Sequence, residues 1–288
     1  MAWLRAGHGM RPELPMPARP DGNADYIRVA GLQVSYDGTT LALADMDLVA
    51  SKGDFVAVLG PSGCGKSTLL HAMSGVLQPR AGGIEIGGHA VEGSMGSDAP
   101  LIGYVFQDHR LLPWRTVAQN ISIVLHAAGV PKVEIEDRIE RYLTMLQIDR
   151  LRDAWPMRLS GGQRQRVSIA QALALQPAVV LMDEPFSTLD EVTARLMRQQ
   201  LAELWQESGQ TIVFVTHSIR EALFLANRVY VLTKGPARVL EVVDIPIERP
   251  RRYEDPRLTE LEGQIVDRVM SVWGYGEPEF EPTHEERQ

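Results

Sequence analysis

The sequence predicts an α/β fold built on a mostly parallel β-sheet. Short runs of β-branched and other apolar residues recur along the chain, which is typical of strands buried on both faces of such a sheet. These runs lie at 55–59, 178–182, 211–215 and 228–232. Apolar residues at helical spacing over 133–146, and a second helical segment over 191–207, predict helices between strands. Strands that alternate with helices favour the α/β class.

The composition is that of a soluble globular protein. The chain has 288 residues and a mass of 32.0 kDa, with 44% hydrophobic and 23% charged residues, which excludes a wholly disordered chain and allows one or two domains. No window contains the roughly 18 consecutive apolar residues that a membrane-spanning helix needs. Any role at a membrane is therefore expected to go through a partner.

Charge and cysteine content exclude further classes. The chain carries 29 Lys and Arg residues against 37 Asp and Glu residues, a formal net charge of −8, so we expect no nucleic-acid partner. Cys64 is the only cysteine, and neither an intrachain disulfide nor a Cys-based metal cluster can form. The N-terminal segment lacks an apolar stretch of signal-peptide length, so a cytoplasmic location is expected.

The sequence divides into three parts. Residues 1–25 contain four prolines and are expected to form a flexible leader. Residues 26–240 carry the pattern of strands and helices, and within them 108–158 is interpreted as an inserted helical subdomain. Residues 241–288 are expected to form a connector rich in proline and charge, one amphipathic helix and an acidic tail.

The most specific motif is GPSGCGKST at 60–68, which matches the G-x-x-x-x-G-K-[ST] pattern of phosphate-binding loops. It follows a predicted strand and opens a helix-like segment, as the pattern requires. Its glycines let backbone N–H groups turn toward phosphate oxygens, Lys66 is placed to reach the β- and γ-phosphates, and the Ser67 hydroxyl is placed to bind Mg²⁺. Cys64 takes a variable position of the motif. The predicted nucleotide-binding residues are Gly60, Pro61, Ser62, Gly63, Cys64, Gly65, Lys66, Ser67 and Thr68.

Two carboxylates follow the predicted strand at 178–182. Asp183 and Glu184 lie at the carboxyl end of that strand, the edge at which open α/β sheets bind ligands. Together with the phosphate-binding loop, this position makes Asp183 a candidate Mg²⁺ ligand and Glu184 a candidate general base for an attacking water. Alone, such a pair is as often a capping pair.

A third motif, LSGGQRQR at 159–166, gives the sequence a resemblance to the ATP-binding subunits of ABC transporters. The resemblance covers roughly 26–240. It implies an ATPase with a P-loop NTPase core, an antiparallel β region near the N-terminus and an inserted helical subdomain, using ATP and Mg²⁺. It also implies that Ser160, Gly161, Gly162 and Gln163 contact the nucleotide of a second subunit, since Ser160, Gly161 and Gly162 precede a helix whose N-terminus favours an anion.

Other positions match the same family. The resemblance implies that Tyr36 stacks on adenine, that Gln107 senses Mg²⁺ and the membrane partner, that residues 187–190 cross a dimer interface, and that His217 contacts the γ-phosphate. Taken singly, a Tyr beside a turn is usually packing, and a Gln or His at a strand end is usually a cap. Their joint order favours the functional interpretation.

The family resemblance also implies partners. It predicts a head-to-tail dimer, most simply of two copies, bound to a separate membrane permease on the cytoplasmic side of the membrane, with an extracytoplasmic solute-binding protein involved indirectly. The segments at 108–121, 216–229 and 244–252 resemble importers of nitrate, sulfonate, taurine and related small anions. Within the first of them, Trp114 lies either on the surface that receives the permease or in the core of the helical subdomain.

Two other functions fit the sequence less well. A soluble ABC ATPase of the DNA-repair or translation type usually has a long coiled-coil insertion or two ATPase cassettes, whereas this sequence has one phosphate-binding loop and no room for such an insertion before the signature. A binding module without hydrolysis is disfavoured because Glu184 and His217 are both present.

Overall fold

The computed structural model describes residues 25–91 and 100–274. The leader, apart from Asp25, and the acidic tail lie outside this part. The strands are β1 (Asp25–Ser35), β2 (Leu41–Ser51), β3 (Phe55–Leu59), β4 (Ala81–Ile86), β5 (His89–Ala90), β6 (Ile102–Val105), β7 (Val179–Asp183), β8 (Thr211–Thr216), β9 (Arg228–Leu232) and β10 (Val239–Asp244). The α-helices are α1 (Lys66–Met73), α2 (Val117–Ala127), α3 (Lys132–Met145), α4 (Gly161–Ala174), α5 (Glu191–Ser208), α6 (Ile219–Leu225) and α7 (Pro256–Val272), with short 3-10 turns at Asp149–Leu151 and Pro156–Arg158.

A six-stranded sheet forms the centre of the molecule, in the order β10-β9-β3-β8-β7-β6. All of its pairs are parallel except β10 with β9. The four predicted strand runs are its four central strands. Because β3, β7 and β8 run in the same direction side by side, their carboxyl ends and the loops that follow them meet at one edge of the sheet.

The two faces of this sheet belong to two hydrophobic cores. Successive side chains of a strand point to opposite faces, so Phe55, Ala57 and Leu59 enter the core beneath the helices, while Val56 and Val58 enter the other. The second core is closed by α1 and by the antiparallel sheet β2-β1-β4-β5. Burial on both faces explains the continuous apolar runs of the central strands.

The expected helical subdomain contains α2, α3 and both 3-10 turns. Thr116 starts α2 with a capping box, in which its side chain accepts from the Gln119 N–H and the Gln119 side chain accepts from the Thr116 N–H. The apolar face of α3 buries Ile135, Ile139 and Leu143. Helix α4 packs against both α2 and α3, so the helical layer extends beyond residue 158. None of the described helices combines the length and apolar character needed to span a membrane.

The segment after β9 packs against the same core as the sheet. The expected domain limit near residue 240 lies inside β10, which pairs with β9 along the sheet edge. Beyond it, Ile245, Ile247 and Tyr253 are buried, and the Trp273 Nε1–H donates to the Leu232 carbonyl at 2.8 Å. The connector and α7 are therefore held to the body of the protein by apolar burial and by a hydrogen bond to its central sheet.

Arg251 fastens this segment to the end of α6. Its side chain is buried, and its Nε–H and one of its terminal nitrogens donate to four backbone carbonyls, those of Ile247, Leu223, Phe224 and Ala226, at 2.6 to 3.1 Å. The last carbonyls of a helix have no partner within the helix. Arg251 supplies buried donors to the carbonyls at the end of α6.

We predict that Arg251→Met lowers the free energy of unfolding by at least about 1–3 kcal/mol, because it leaves buried carbonyls without donors. The matched control is Arg252→Met, since Arg252 is exposed and adjacent. Urea denaturation followed by circular dichroism measures both. Equal stability of the two variants would contradict the role of Arg251 as the cap of α6.

Candidate functional site

The phosphate-binding loop connects β3 to α1 at the carboxyl edge of the sheet. Gly63 and Gly65 have positive φ angles, 75° and 119°, and a Cβ atom at Gly65 would lie 2.9 Å from the Ala42 carbonyl oxygen. Gly65 is also the N-cap of α1 and provides no side-chain cap. The N-cap residue therefore supplies no side-chain acceptor to the first N–H groups of α1, an arrangement suited to an anion.

Lys66 lies under this loop with only 5% of its surface exposed. Its Nζ donates to the Gly60 carbonyl at 2.9 Å and to the Pro61 carbonyl at 3.0 Å, and it lies 3.2 Å from Glu184 Oε1. The same ammonium group therefore bridges the loop after β3 and the loop after β7.

Ser67 and Asp183 meet beside Lys66. The Ser67 hydroxyl donates to Asp183 Oδ1 at 3.0 Å. Burial raises the pKa of the Asp183 carboxyl, while the hydrogen bond from Ser67 acts in the opposite direction. A buried carboxylate beside a hydroxyl is a set of hard oxygen donors that fits Mg²⁺. In the described ranges, no three His, Cys, Asp or Glu side chains are grouped to hold a metal ion.

Glu184 and His217 form the next part of the site. The His217 Nδ1–H donates to Glu184 Oε2 at 3.0 Å, and the imidazole is half exposed. Glu184 has a φ of 42°, in the left-handed region, which is uncommon for a residue with a side chain. Its backbone is held there because its N–H donates to the Val215 carbonyl and its carbonyl accepts from Ser187. Such constrained conformations concentrate at functional sites.

Tyr36 is tied to the same helix. Its ring is 66% exposed, and its hydroxyl lies 2.9 Å from the Thr68 hydroxyl in α1. The turn beside it is fixed by Asp37, whose carboxylate accepts from the backbone N–H groups of Thr39 and Thr40. An exposed aromatic ring is thereby held beside the phosphate-binding helix.

Gln107 is placed differently from the expectation. The sequence pattern predicts Gln107 at the end of a strand, but β6 ends at Val105, and Gln107 is exposed in the bend that follows. Within the described part of the chain, its side chain makes no hydrogen bond and is not joined to Asp183.

The segment that continues from Gln107 carries Trp114, whose surface is 65% exposed, so the interpretation of Trp114 as a core residue is wrong.

The signature residues begin α4. Ser160 is its N-cap, and a capping box joins the Ser160 and Gln163 side chains to each other's backbone N–H groups. Gly162 permits close packing on α5, since a Cβ there would lie 2.8 Å from Thr193 Cγ2. Ser160 is exposed, and no hydrogen bond among the described residues joins 160–163 to the phosphate-binding loop of the same chain.

Comparisons with known proteins agree with this site. The family model described as ABC transporter matches residues 43–187. The nitrate import ATP-binding protein NrtD of Synechococcus elongatus is 39% identical over 237 residues, 80% of this chain and 85% of its own length. The chain belongs to the ABC transporter ATP-binding proteins. The taurine import ATP-binding protein TauB of Shigella boydii is 37% identical over 254 residues, 85% of this chain and 97% of its own. The ATP-binding cassette MJ0796, solved as a dimer in a post-hydrolysis state with ADP and Pi, is similar with a TM-score of 0.67 and 30% identity, covering 77% of this chain and all of that one.

Membership of this family confirms two predictions made from the sequence, the α/β fold class with a P-loop NTPase core and the ATPase activity of the chain. The matched relatives are transport subunits, which does not support the alternative of a DNA-repair or translation ATPase.

Sequence reasoning missed several residues around the site of this ABC ATPase. The His109 Nε2–H donates to the Gly161 carbonyl, which connects the Gln107 segment to the signature. Arg198 and Glu221 form a buried ion pair behind His217. The sequence does contain one indication of this ion pair. Glu221 is a charged residue in an otherwise apolar segment, which is buried through Leu225, and a charge in such a segment needs a partner.

We predict that Cys64 in the folded ABC protein reacts with iodoacetamide at least about tenfold more slowly than in guanidinium chloride. The thiol is 3% exposed, and burial raises its pKa, which reduces the reactive thiolate at neutral pH. Because Cys64 is the only cysteine, mass spectrometry of the intact chain measures the rate directly. Equal rates in the two conditions would contradict the burial of this side chain.

Proposed function

We propose that the chain is the ATP-hydrolysing subunit of an importer for a small anion such as nitrate or taurine. The observation that supports this most directly is the convergence of Lys66, Ser67, Asp183, Glu184 and His217 at one edge of the sheet. The similarity to ATP-binding proteins of nitrate import and of taurine import supports this class of solute.

The phosphate-binding loop and Lys66 are proposed to bind ATP. The N–H groups at the start of α1 and the Lys66 ammonium would hold the phosphates, and the exposed ring of Tyr36 would stack on adenine. Ser67 and Asp183 would hold Mg²⁺, whose chemical contribution is to neutralise charge on the phosphate oxygens. Gln107, on the exposed segment after β6, is proposed to report on the permease.

Hydrolysis is proposed to use Glu184 as the general base. In the structure described here, its two carboxylate oxygens are engaged by Lys66 at 3.2 Å and by His217 at 3.0 Å. A phosphate group that binds Lys66 competes with Glu184 for the same cation. Glu184 would then be available to accept a proton from water, with His217 still holding its second oxygen.

The signature requires a second subunit. Ser160 is exposed and α4 begins there with N–H groups that favour an anion, yet residues 160–163 make no hydrogen bond to the phosphate-binding loop of the same chain. The similar cassette MJ0796 is dimeric in its solved structure. In a head-to-tail dimer, each signature would close the partner's site. The dimer would bind a separate permease at the cytoplasmic face of the membrane, and through it an extracytoplasmic solute-binding protein.

We predict that Glu184→Gln retains Mg-ATP binding and slows hydrolysis by about 10²–10⁴, the usual contribution of a general base. The amide keeps the shape of the side chain and removes its basicity. Single-turnover hydrolysis and calorimetric binding measure the two effects, and light scattering should show a dimer with Mg-ATP and a monomer with ADP.

The matched control is Glu203→Gln, at an exposed position of α5. It should leave the rate unchanged. Wild-type hydrolysis by Glu184→Gln would show that Glu184 is not the base, and the absence of any ATPase activity in the wild-type protein would contradict the proposed function itself.

We further predict that Trp114→Ala weakens association with the permease by about 30-fold or more, because truncating a buried aromatic anchor at an interface typically costs about 2 kcal/mol or more. Its exposure means that the melting temperature should not change. Pull-down of the permease and a melting curve measure both. Val133→Ala, at another exposed apolar position, serves as the control, and undiminished pull-down by Trp114→Ala would exclude this docking role.

A further inference from the structure

The two residues that flank His217 are held by one hydroxyl group. Thr216 ends β8 and is almost fully buried, and its Oγ1 accepts from the Ser218 N–H at 3.0 Å. The same hydroxyl donates to Glu221 Oε2 at 2.6 Å. Ser218 in turn caps α6 by accepting from the Glu221 N–H. The chain on both sides of His217 is therefore fixed to the first turn of α6.

Arg198 completes this arrangement from α5. Its side chain is 3% exposed, and its two terminal nitrogens donate to Glu221 at 2.9 Å and to Glu191 at 2.7 Å. Glu191 directly follows Asp190, the last residue of the segment that the family resemblance assigns to the dimer interface. The Arg198 guanidinium also lies over the rings of Phe186 and Tyr253. A cation at this depth needs anionic partners, so both carboxylates are held to it.

The hydrogen bonds from Arg198 through Glu221 to Thr216 thus end next to His217 and do not involve its imidazole. Thr216 adjoins His217, whose imidazole donates to Glu184, and the Thr216 carbonyl also accepts from the Gly60 N–H at the start of the phosphate-binding loop. We propose that Thr216, Glu221 and Arg198 are positioning residues that hold the His217 imidazole against Glu184 during ATP hydrolysis. The proposal rests on hydrolysis at Glu184 and is independent of which solute is imported.

The hydroxyl of Thr216 offers the sharpest test, because two substitutions separate its hydrogen bonds from its packing. Thr216→Val keeps the branched shape and removes the hydroxyl, whereas Thr216→Ser keeps the hydroxyl and removes a methyl group. We expect Thr216→Val to lower kcat of the full-length protein by at least about tenfold, with KM for ATP within about threefold, because small misplacements at a reacting site are costly in rate. Thr216→Ser should stay within about threefold of wild-type kcat.

The control for a general loss of stability lies on the same strand. Thr211 begins β8 and is equally buried, and its hydroxyl accepts from the Gly53 N–H at 2.9 Å, away from the carboxyl edge. Thr211→Val should lower the melting temperature and leave kcat unchanged. If Thr216 has only a structural role, kcat should fall in proportion to the loss of stability in both Thr216→Ser and Thr211→Val. That result would overturn the proposal.

A double substitution tests whether Thr216 acts through His217. In a His217→Ala background, Thr216→Val should cause no further loss of single-turnover rate, since the group that it positions is gone. If Thr216→Val lowers the single-turnover rate of His217→Ala by the same factor as that of the wild type, the proposal is overturned.

If Thr216→Val does not fold, Glu221→Gln replaces it, with the same expected loss of kcat at unchanged KM. Wild-type kcat in Glu221→Gln would also overturn the proposal, whereas an inactive wild-type protein would bear on the proposed function instead.

Discussion

A buried ammonium group organises the site. Lys66 Nζ is withdrawn from water and finds its acceptors on two different loops, the Gly60 and Pro61 carbonyls after β3 and the Glu184 carboxylate after β7. A buried charge without partners is strongly destabilising, so the two loops are constrained to lie against each other. The residues proposed to bind the nucleotide, to hold Mg²⁺ and to accept a proton lie within one site because this cation needs ligands from both sides.

Strand β8 makes that approach possible. It lies between β3 and β7, and parallel pairing brings its carboxyl end level with theirs. The backbone then adds its own connections, since the Gly60 N–H donates to the Thr216 carbonyl and the Glu184 N–H donates to the Val215 carbonyl. The loops that carry Lys66, Glu184 and His217 are thus joined through a central strand that is buried along its whole length.

What the sequence could and could not predict follows from the range of the interactions. The phosphate-binding loop and the pair Asp183 and Glu184 are contiguous motifs next to strongly apolar strands, so their chemistry is visible without the fold. The exposure of Trp114 and the bend at Gln107 depend on how the chain packs after β6, which spacing alone does not determine. The pairing of Arg198 with Glu221 likewise joins two helices, and a single sequence does not reveal which charged residues will meet.

The burial of the only thiol has a practical consequence for spectroscopy. Because the Cys64 side chain is buried, a cysteine introduced on the surface would be the one site that a fluorophore or spin label modifies quickly, with no native residue to remove. Met157 is such a surface position, 80% exposed in the 3-10 turn before the signature. With one label on each subunit of a dimer, the distance between the two labels would report the separation of the signature motifs. The distance could be measured with ATP, with ADP and without nucleotide.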